Sequence, residues 1–231
     1  MRAVVIQHET HEDLGLLGPA LKEAGFGLVK RFRAVQREDL DAELVVVLGG
    51  SMGVADVELH PFLHEELAFL TERLALSKPV LGVCLGAQLL ASAAGAEVFK
   101  GKNGFEVGAG PVRWTKAGLE DPVTAGARAV VAHWHHDTFS PVPGATLLGS
   151  TDRYTQQVFR LQNSYGFQCH PELTAEAFGG WLTAGADELA REGKDLAALQ
   201  AHLPKLKAGE AALAALCSRL ARHFATCTVS G

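Results

Sequence analysis

Pro79-Val80-Leu81-Gly82-Val83-Cys84-Leu85-Gly86-Ala87-Gln88 reads as a buried strand that turns sharply into a helix. The apolar run Pro79–Val83 suits a strand covered on both faces, and the small residues of Ala87–Ala94 suit a closely packed helix. Between them, Gly82-x-Cys84-x-Gly86 has the form of a nucleophile elbow with sulfur in place of a serine hydroxyl. A side chain carried on so tight a turn crowds the residues two positions away, so glycine is needed on both flanks. The following helix aims free N–H groups and the positive end of its dipole at the sulfur, which favours thiolate. The Leu85 N–H is placed to donate to an oxyanion.

Upstream, Arg2–Gln7 and Glu43–Leu48 are β-branched runs, the second leading into Gly49-Gly50-Ser51-Met52-Gly53. Leu14–Ala24 and Pro61–Leu76 carry leucines at helical spacing, Leu63, Leu67, Leu70 and Leu74 in the second. Strand and helix in alternation imply parallel strands with crossover helices on both faces. The expected fold is therefore α/β: an open, mostly parallel sheet flanked by helices. From Phe105 to Gln168, strand-like runs broken by Gly, Pro and Asp read as a mixed or antiparallel extension of that sheet. After Thr174 the chain turns alanine-rich and helical, and Leu213, Leu216, Leu220 and Phe224 share one stripe. The expected organisation is a catalytic unit over 1–181. A helical extension over 182–231 is expected to pack on it, away from Cys84.

The 231 residues are 48% hydrophobic and 20% charged, a globular balance. Lys and Arg number 21 against 26 Asp and Glu, a formal net charge of −5, so no cationic surplus suits nucleic acid. No apolar stretch approaches the roughly 18 residues a membrane span needs. Four cysteines, Cys84, Cys169, Cys217 and Cys227, do not suggest a disulfide scaffold, which points to a reducing, cytoplasmic setting.

A second constellation lies near the end of the sheet region. Cys169-His170-Pro171-Glu172 follows the apolar run Tyr165-Gly166-Phe167. In an extended segment, positions two apart project to the same side, so Glu172 can hold one imidazole nitrogen of His170 while the other faces a distant thiol. Pro171 stiffens the link between them. Cys84, His170 and Glu172 thus supply a nucleophile, a base and an orienting carboxylate. Cys169 faces away and is expected to be structural.

With these motifs in place, the sequence resembles the class I glutamine amidotransferases. The resemblance rests on Gly82–Gln88, on Gly166–Glu172 and on Gly49–Gly53. It spans about Arg2 to Trp181 and is strongest toward stand-alone proteins related to the glutaminase part of GMP synthetase. Glu106-Val107-Gly108 and His135-His136-Asp137-Thr138-Phe139 fit the same sub-group. The resemblance implies a flavodoxin-like fold and a Cys84 attack on a glutamine side-chain amide, giving a γ-glutamyl thioester and ammonia. It implies that His170 shuttles protons, that Glu172 orients it, and that Gln88, His135, His136 and Asp137 contact the substrate. Backbone N–H groups of Gly50, Met52 and Leu85 would form the oxyanion hole. Synthetase-linked relatives carry proline where this chain has Ser51-Met52, which leaves the donor in that loop open.

His133-Trp134-His135-His136-Asp137 invites a metal reading, but Thr138 stands where a binuclear hydrolase signature wants histidine, so no metal is expected. His60 and His64, one turn apart, read as a solvated helix start. Neither phosphate-binding glycine motif is present, so no nucleotide cofactor is implied. Glutamine or another γ-glutamyl compound is the expected small-molecule partner, with a separate synthetase or acceptor subunit as the macromolecular one. The alternative is a γ-glutamyl peptidase or hydrolase that works without a synthetase. Retention of all three triad residues counts against a non-catalytic protein.

Overall fold

A computed structural model describes residues 1–227 of the chain. The first hundred residues alternate as β1 (Arg2–Gln7), α1 (Leu17–Glu23), β2 (Gly27–Phe32), β3 (Leu44–Val47), α2 (Phe62–Ala75), β4 (Val80–Val83), α3 (Leu85–Ala93) and β5 (Val98–Lys100). There follow β6 (Glu106–Pro111), β7 (Arg113–Trp114), α4 (Lys116–Glu120), β8 (Val130–His135), β9 (Asp137–Phe139), β10 (Thr146–Ser150), β11 (Val158–Leu161) and β12 (Ser164–Phe167). The chain closes with α5 (Ala175–Ala184), α6 (Ala186–Arg191), α7 (Leu196–Gln200) and α8 (Leu203–Cys227).

Eight strands form one sheet in the order β2-β1-β3-β4-β12-β11-β10-β7. The first five run parallel and the last three are added antiparallel. Strand alternation divides the core. Ala3, Val5, Leu44 and Val46 face α1, α5 and α8, while Val4, Ile6, Val45 and Val47 face α2 and α3. Both faces are therefore covered, as a parallel sheet requires. The registers Val47↔Gly82 and Gly166↔Gly82 bring the carboxyl ends of β3, β4 and β12 side by side, the edge where open α/β sheets bind ligands.

Several expectations are adjusted. The helix after the elbow begins at Leu85, directly after the cysteine, and α1 begins only at Leu17. The delay follows from Gly15, whose φ of +43° and tight approach to the Glu172 carbonyl hold the preceding segment as a turn. β2 carries no apolar run because it is an edge strand with no fully buried residue. The region from 105 to 168 does extend the sheet through β7, β10 and β11, but β5–β9 and β6–β8 form separate antiparallel ribbons.

The helical segment is not remote from the chemistry-bearing edge. Leu206, Leu213, Leu216, Leu220 and Phe224 of α8 join the core beneath the sheet, each such burial worth about 1.5–3 kcal/mol. From the same helix the Cys217 thiol donates to the Pro171 carbonyl at 3.7 Å. In addition, α6 brings Glu188 to the cavity that contains Cys84. The part of the expected extension over 228–231 lies outside the described residues.

Candidate active site

Cys84 sits at φ 51°, ψ −110°, a conformation non-glycine residues adopt only at a cost on the order of 1–3 kcal/mol. Its N–H donates to Phe167 O at 2.8 Å, and its carbonyl accepts from Ala87 and Gln88 in the first turn of α3. The flanking glycines are steric necessities. A Cβ on Gly82 would lie 2.4 Å from the Gly86 carbonyl oxygen, and one on Gly86 would lie 2.0 Å from that of Val47. The turn thus holds the thiol where β4 meets α3. The thiol donates to Trp134 O at 3.6 Å and accepts from Gln168 Nε2 at 3.7 Å.

His170 follows β12 and is fixed by its own N–H, which donates to Ala132 O at 2.9 Å. Its Nδ1 lies 2.8 Å from Glu172 Oε1, and both side chains are buried. Nε2 makes no geometrically well-formed hydrogen bond among the described residues, and the ring lines the cavity that holds Cys84, with that thiol as its neighbour. Burial disfavours charge on this ring, yet the neighbouring Glu172 carboxylate and Cys84 thiol outweigh it and raise the His170 pKa well above the usual imidazole value. Glu172 is itself pinned, since its carbonyl accepts from Leu16 N at 2.8 Å. Burial pushes the Cys169 and Cys217 thiols far up, so both stay protonated. Cys169, beside His170 in sequence, lies in the core.

The loop after β3 is braced from behind. His8, at the end of β1 and fully buried, directs Nδ1 at Gly49 O (2.9 Å) and Leu48 O (3.2 Å), and Nε2 at Glu66 Oε2 (2.9 Å). Nδ1 faces two carbonyls and so carries a proton; with Glu66 ionised, Nε2 carries one as well and the ring is an imidazolium. Burial opposes that charge, but Glu66 and the two carbonyls outweigh it and raise the His8 pKa. A trans peptide points its carbonyl and N–H in opposite directions. With Gly49 O held by His8, the Gly50 N–H is therefore turned away from His8. Gly50, Met52 and Leu85 all line the cavity. The Leu85 N–H lies in the first helical turn, where no intrahelical acceptor exists.

The cavity, about 570 Å³, gathers Cys84, His170, Gln88, His135, His136 and Asp137 at one place; Glu172 stands behind His170. Gln88 is buried, its Nε2 donating to Gln168 Oε1 (3.1 Å) and Asp137 O (3.3 Å). His136 stacks on Phe105 with ring centres 4.1 Å apart and lies 2.9 Å from Glu188 Oε1. His135 is held by Asp137 O and Glu106 Oε2, each at 2.9 Å. Glu106, His133 and His135 offer ligand-type atoms that all lie within 4.8 Å of one another. Gln157 Nε2 already bridges two of them, 2.5 Å from Glu106 Oε2 and 3.3 Å from His135 Nε2. An ion held by that pair would have to displace this amide.

Three residues at the site carry no motif that sequence reasoning singles out: His8, Glu12 and Trp181. Gln168 lies within the quoted Gly166–Glu172 motif without a role assigned there, because its contact with sulfur depends on the parallel pairing of β12 with β4. Trp181 stands edge-on to His170 with ring centres 5.1 Å apart, a long-range contact made by α5.

The model of the family "Glutamine amidotransferase class-I" matches residues 26–184. The glutamine amidotransferase-like protein YfeJ of Salmonella typhimurium is 30% identical over 200 residues, covering 82% of this chain and 83% of that protein. A GMP synthase [glutamine-hydrolyzing] of Symbiobacterium thermophilum is 36% identical over 109 residues, 45% of this chain but 21% of that enzyme. The crystal structure of a glutamine amidotransferase from Thermotoga maritima superposes with TM-score 0.80 at 32% identity, covering 96% of this chain and 98% of that one. A glutamine amidotransferase structure from Methylobacillus flagellatus gives 0.84 at 26% identity, covering 96% and 93%. With a family model spanning more than half its length and a relative matched over most of both chains, this protein belongs to the class I glutamine amidotransferase family.

Proposed function

We propose that the protein hydrolyses a γ-glutamyl amide through a thioester on Cys84, releasing ammonia or an amine to a separate acceptor or partner. The observation that carries this reading is the pairing of a strained, elbow-borne thiol with a buried imidazole that lines the same cavity and whose Nε2 makes no well-formed hydrogen bond among the described residues. Cys84 Sγ adds to the amide carbon, and the oxyanion forms against the N–H groups of Leu85 and the Gly50–Met52 loop. The carbon–nitrogen bond breaks as His170 gives its proton to the leaving nitrogen. Water, losing a proton to His170, then cleaves the thioester to glutamate and free thiol. Glu172 holds the ring in the required orientation throughout.

The test is a turnover assay on glutamine and γ-glutamyl amides, with mass spectrometry after acid quench. Expected are glutamate release and a γ-glutamyl adduct on Cys84. Glutamate release undiminished in Cys84→Ala would overturn the mechanism. The same thiol chemistry on a γ-glutamyl peptide is the second reading, and the leaving group decides between the two.

A further inference from the structure

The charge of the cavity wall bears on which amide is cleaved. Four carboxylates line it, Glu12, Asp56, Asp137 and Glu188, and no Lys or Arg does. Three of its imidazoles are already matched by carboxylates: His170 by Glu172, His135 by Glu106 and His136 by Glu188. The fourth, His11, is exposed and packs edge-on against Trp181. Glu188 is thereby taken up by His136, and one more carboxylate is accounted for by the α-ammonium of a γ-glutamyl group. Of Glu12, Asp56 and Asp137, two then remain without an ion-pair partner among the described residues.

Glu12 is placed to meet the leaving group. A Cβ on Gly49 would lie 2.2 Å from Glu12 Oε2 and 3.4 Å from His170 Cε1, so the carboxylate and the catalytic ring rest against the same glycine. The Glu12 carboxylate makes no hydrogen bond among the described residues. Burial raises its pKa, although the neighbouring His170 ring pulls the other way. The second unsatisfied group at this spot is His170 Nε2, buried and without a well-formed hydrogen bond among the described residues, which must hand a proton to the departing nitrogen. A chain attached to that nitrogen leaves past His170, with Trp181 as an apolar wall for methylenes and Glu12 beside it.

We propose that the cavity selects γ-glutamyl amides whose leaving amine carries a further positive charge, the diamine and polyamine class, and that Glu12 receives that charge. The inference rests on the γ-glutamyl hydrolase reading above and names its substrate class. In the acyl-transfer step the Cys84 sulfur–carbon bond forms and the carbon–nitrogen bond breaks with its electron pair on nitrogen. The proton from His170 Nε2 makes that nitrogen an amine, which leaves with its distal ammonium intact. A leaving group ending in carboxylate, as in a γ-glutamyl peptide, meets the same wall with the wrong sign.

Three substrates with the same four-carbon chain test this: the γ-glutamyl amides of butylamine, of the four-carbon diamine and of the four-carbon amino acid. Expected is kcat/KM in the order diamine, butylamine, amino acid, with the first two separated by about tenfold at low ionic strength and converging as salt rises. Glu12→Gln should bring the diamine-to-butylamine ratio close to one. An equal or reversed order, or a ratio untouched by Glu12→Gln, overturns the proposal. Calorimetric binding of the three amides to the Cys84→Ala protein reads the charge order without chemistry. Ordered binding with no turnover by the parent protein would uphold the charge selection and sink the hydrolase reading. Turnover of all three with no order in binding would do the reverse.

Discussion

The two ends of the parallel sheet each bury a cation, and the same helix serves both. Glu66 and Arg73 lie two turns apart on α2, facing inward among Leu63, Phe69, Leu70 and Leu74. At the amino edge, the Arg73 guanidinium donates to the carbonyls of Leu40 (3.0 Å), Ala42 (2.7 Å) and Pro79 (2.6 Å), the segments entering β3 and β4. Among the described residues no carboxylate lies within ion-pair distance of it, and burial pulls its pKa down to about 10. At the carboxyl edge, Glu66 holds His8, and His8 holds the Gly49 carbonyl. One cation clamps chain that only has to stay in place. The other sets the direction of an N–H that lines the same cavity as the Cys84 thiol. Substitutions at the two edges should therefore separate: those at the carboxyl edge change chemistry, and those at the amino edge change stability.

The largest expected effect is at Cys84. Cys84→Ala should lower turnover by at least about 10⁴-fold, with the melting temperature nearly unchanged because the elbow backbone is kept. A glutamine-mimicking electrophile should label Cys84 and spare the buried Cys169 and Cys217, read by peptide mass spectrometry. Labelling mainly on another cysteine would break the assignment. Glu172→Gln comes next, with a loss of about 10²–10⁴-fold in kcat/KM. Glu172 is among the groups that raise the His170 pKa, so its removal lowers that pKa. The alkaline limb of the pH–rate profile, where His170 loses its proton, should move to lower pH. A limb that stays put or moves up would mean that another group controls it.

Arg73→Met tests the other edge. Three carbonyls lose the guanidinium, although Leu40 O keeps Lys78 Nζ and Pro79 O keeps Val45 N, which should cost on the order of 3 kcal/mol, or about 6–12 °C in melting temperature for a chain of this size. The turnover of the folded protein should stay at the parent value. A clear loss of kcat without loss of stability would mean that the two edges communicate.

These charges also mark where sequence reading stops. The leucine spacing of α2 located the helix to within a residue at each end, because burial of an apolar stripe is periodic. Glu66 and Arg73 fall on that same stripe, but charge at a core position looks like solvent-facing charge until its partners are known. Those partners, His8 and the carbonyls of Leu40, Ala42 and Pro79, come from other strands and loops. The elbow at Cys84 and the His170–Glu172 pair were legible because each is local, a turn or two positions of one strand. The remainder of the cavity was not. Glu12 reaches it through a loop held by the contact of Gly15 with Glu172, and Glu188 through a helix expected to lie elsewhere. Of the region from 105 to 168, the sheet extension was readable from its turn residues, but the division into two ribbons depends on pairing partners that no local pattern encodes.

The smallest effect, and the one that most sharpens the contrast between the edges, concerns Glu66. The folded-state pKa of His8 is raised above the usual imidazole value. A group whose pKa is raised on folding stabilises the protein fully below its unfolded pKa, and that contribution fades as pH rises through the folded value. Glu66→Gln removes the carboxylate that supplies the leading favourable interaction, so the His8 pKa falls and this contribution shrinks. The parent protein should therefore exceed the variant in stability most clearly in mildly acidic solution, and the gap should narrow as pH rises. His170, also raised, contributes with the same sign in both proteins and drops out of the difference. Denaturation midpoints of the pair at several pH values read the effect, and a gap that widens with pH would contradict the imidazolium assignment. If the proposed oxyanion site is right, His8 orients one of its donors, and the variant should also lose a few-fold in kcat with KM little changed. An equal loss in the Arg73→Met protein would remove the distinction between the two buried cations.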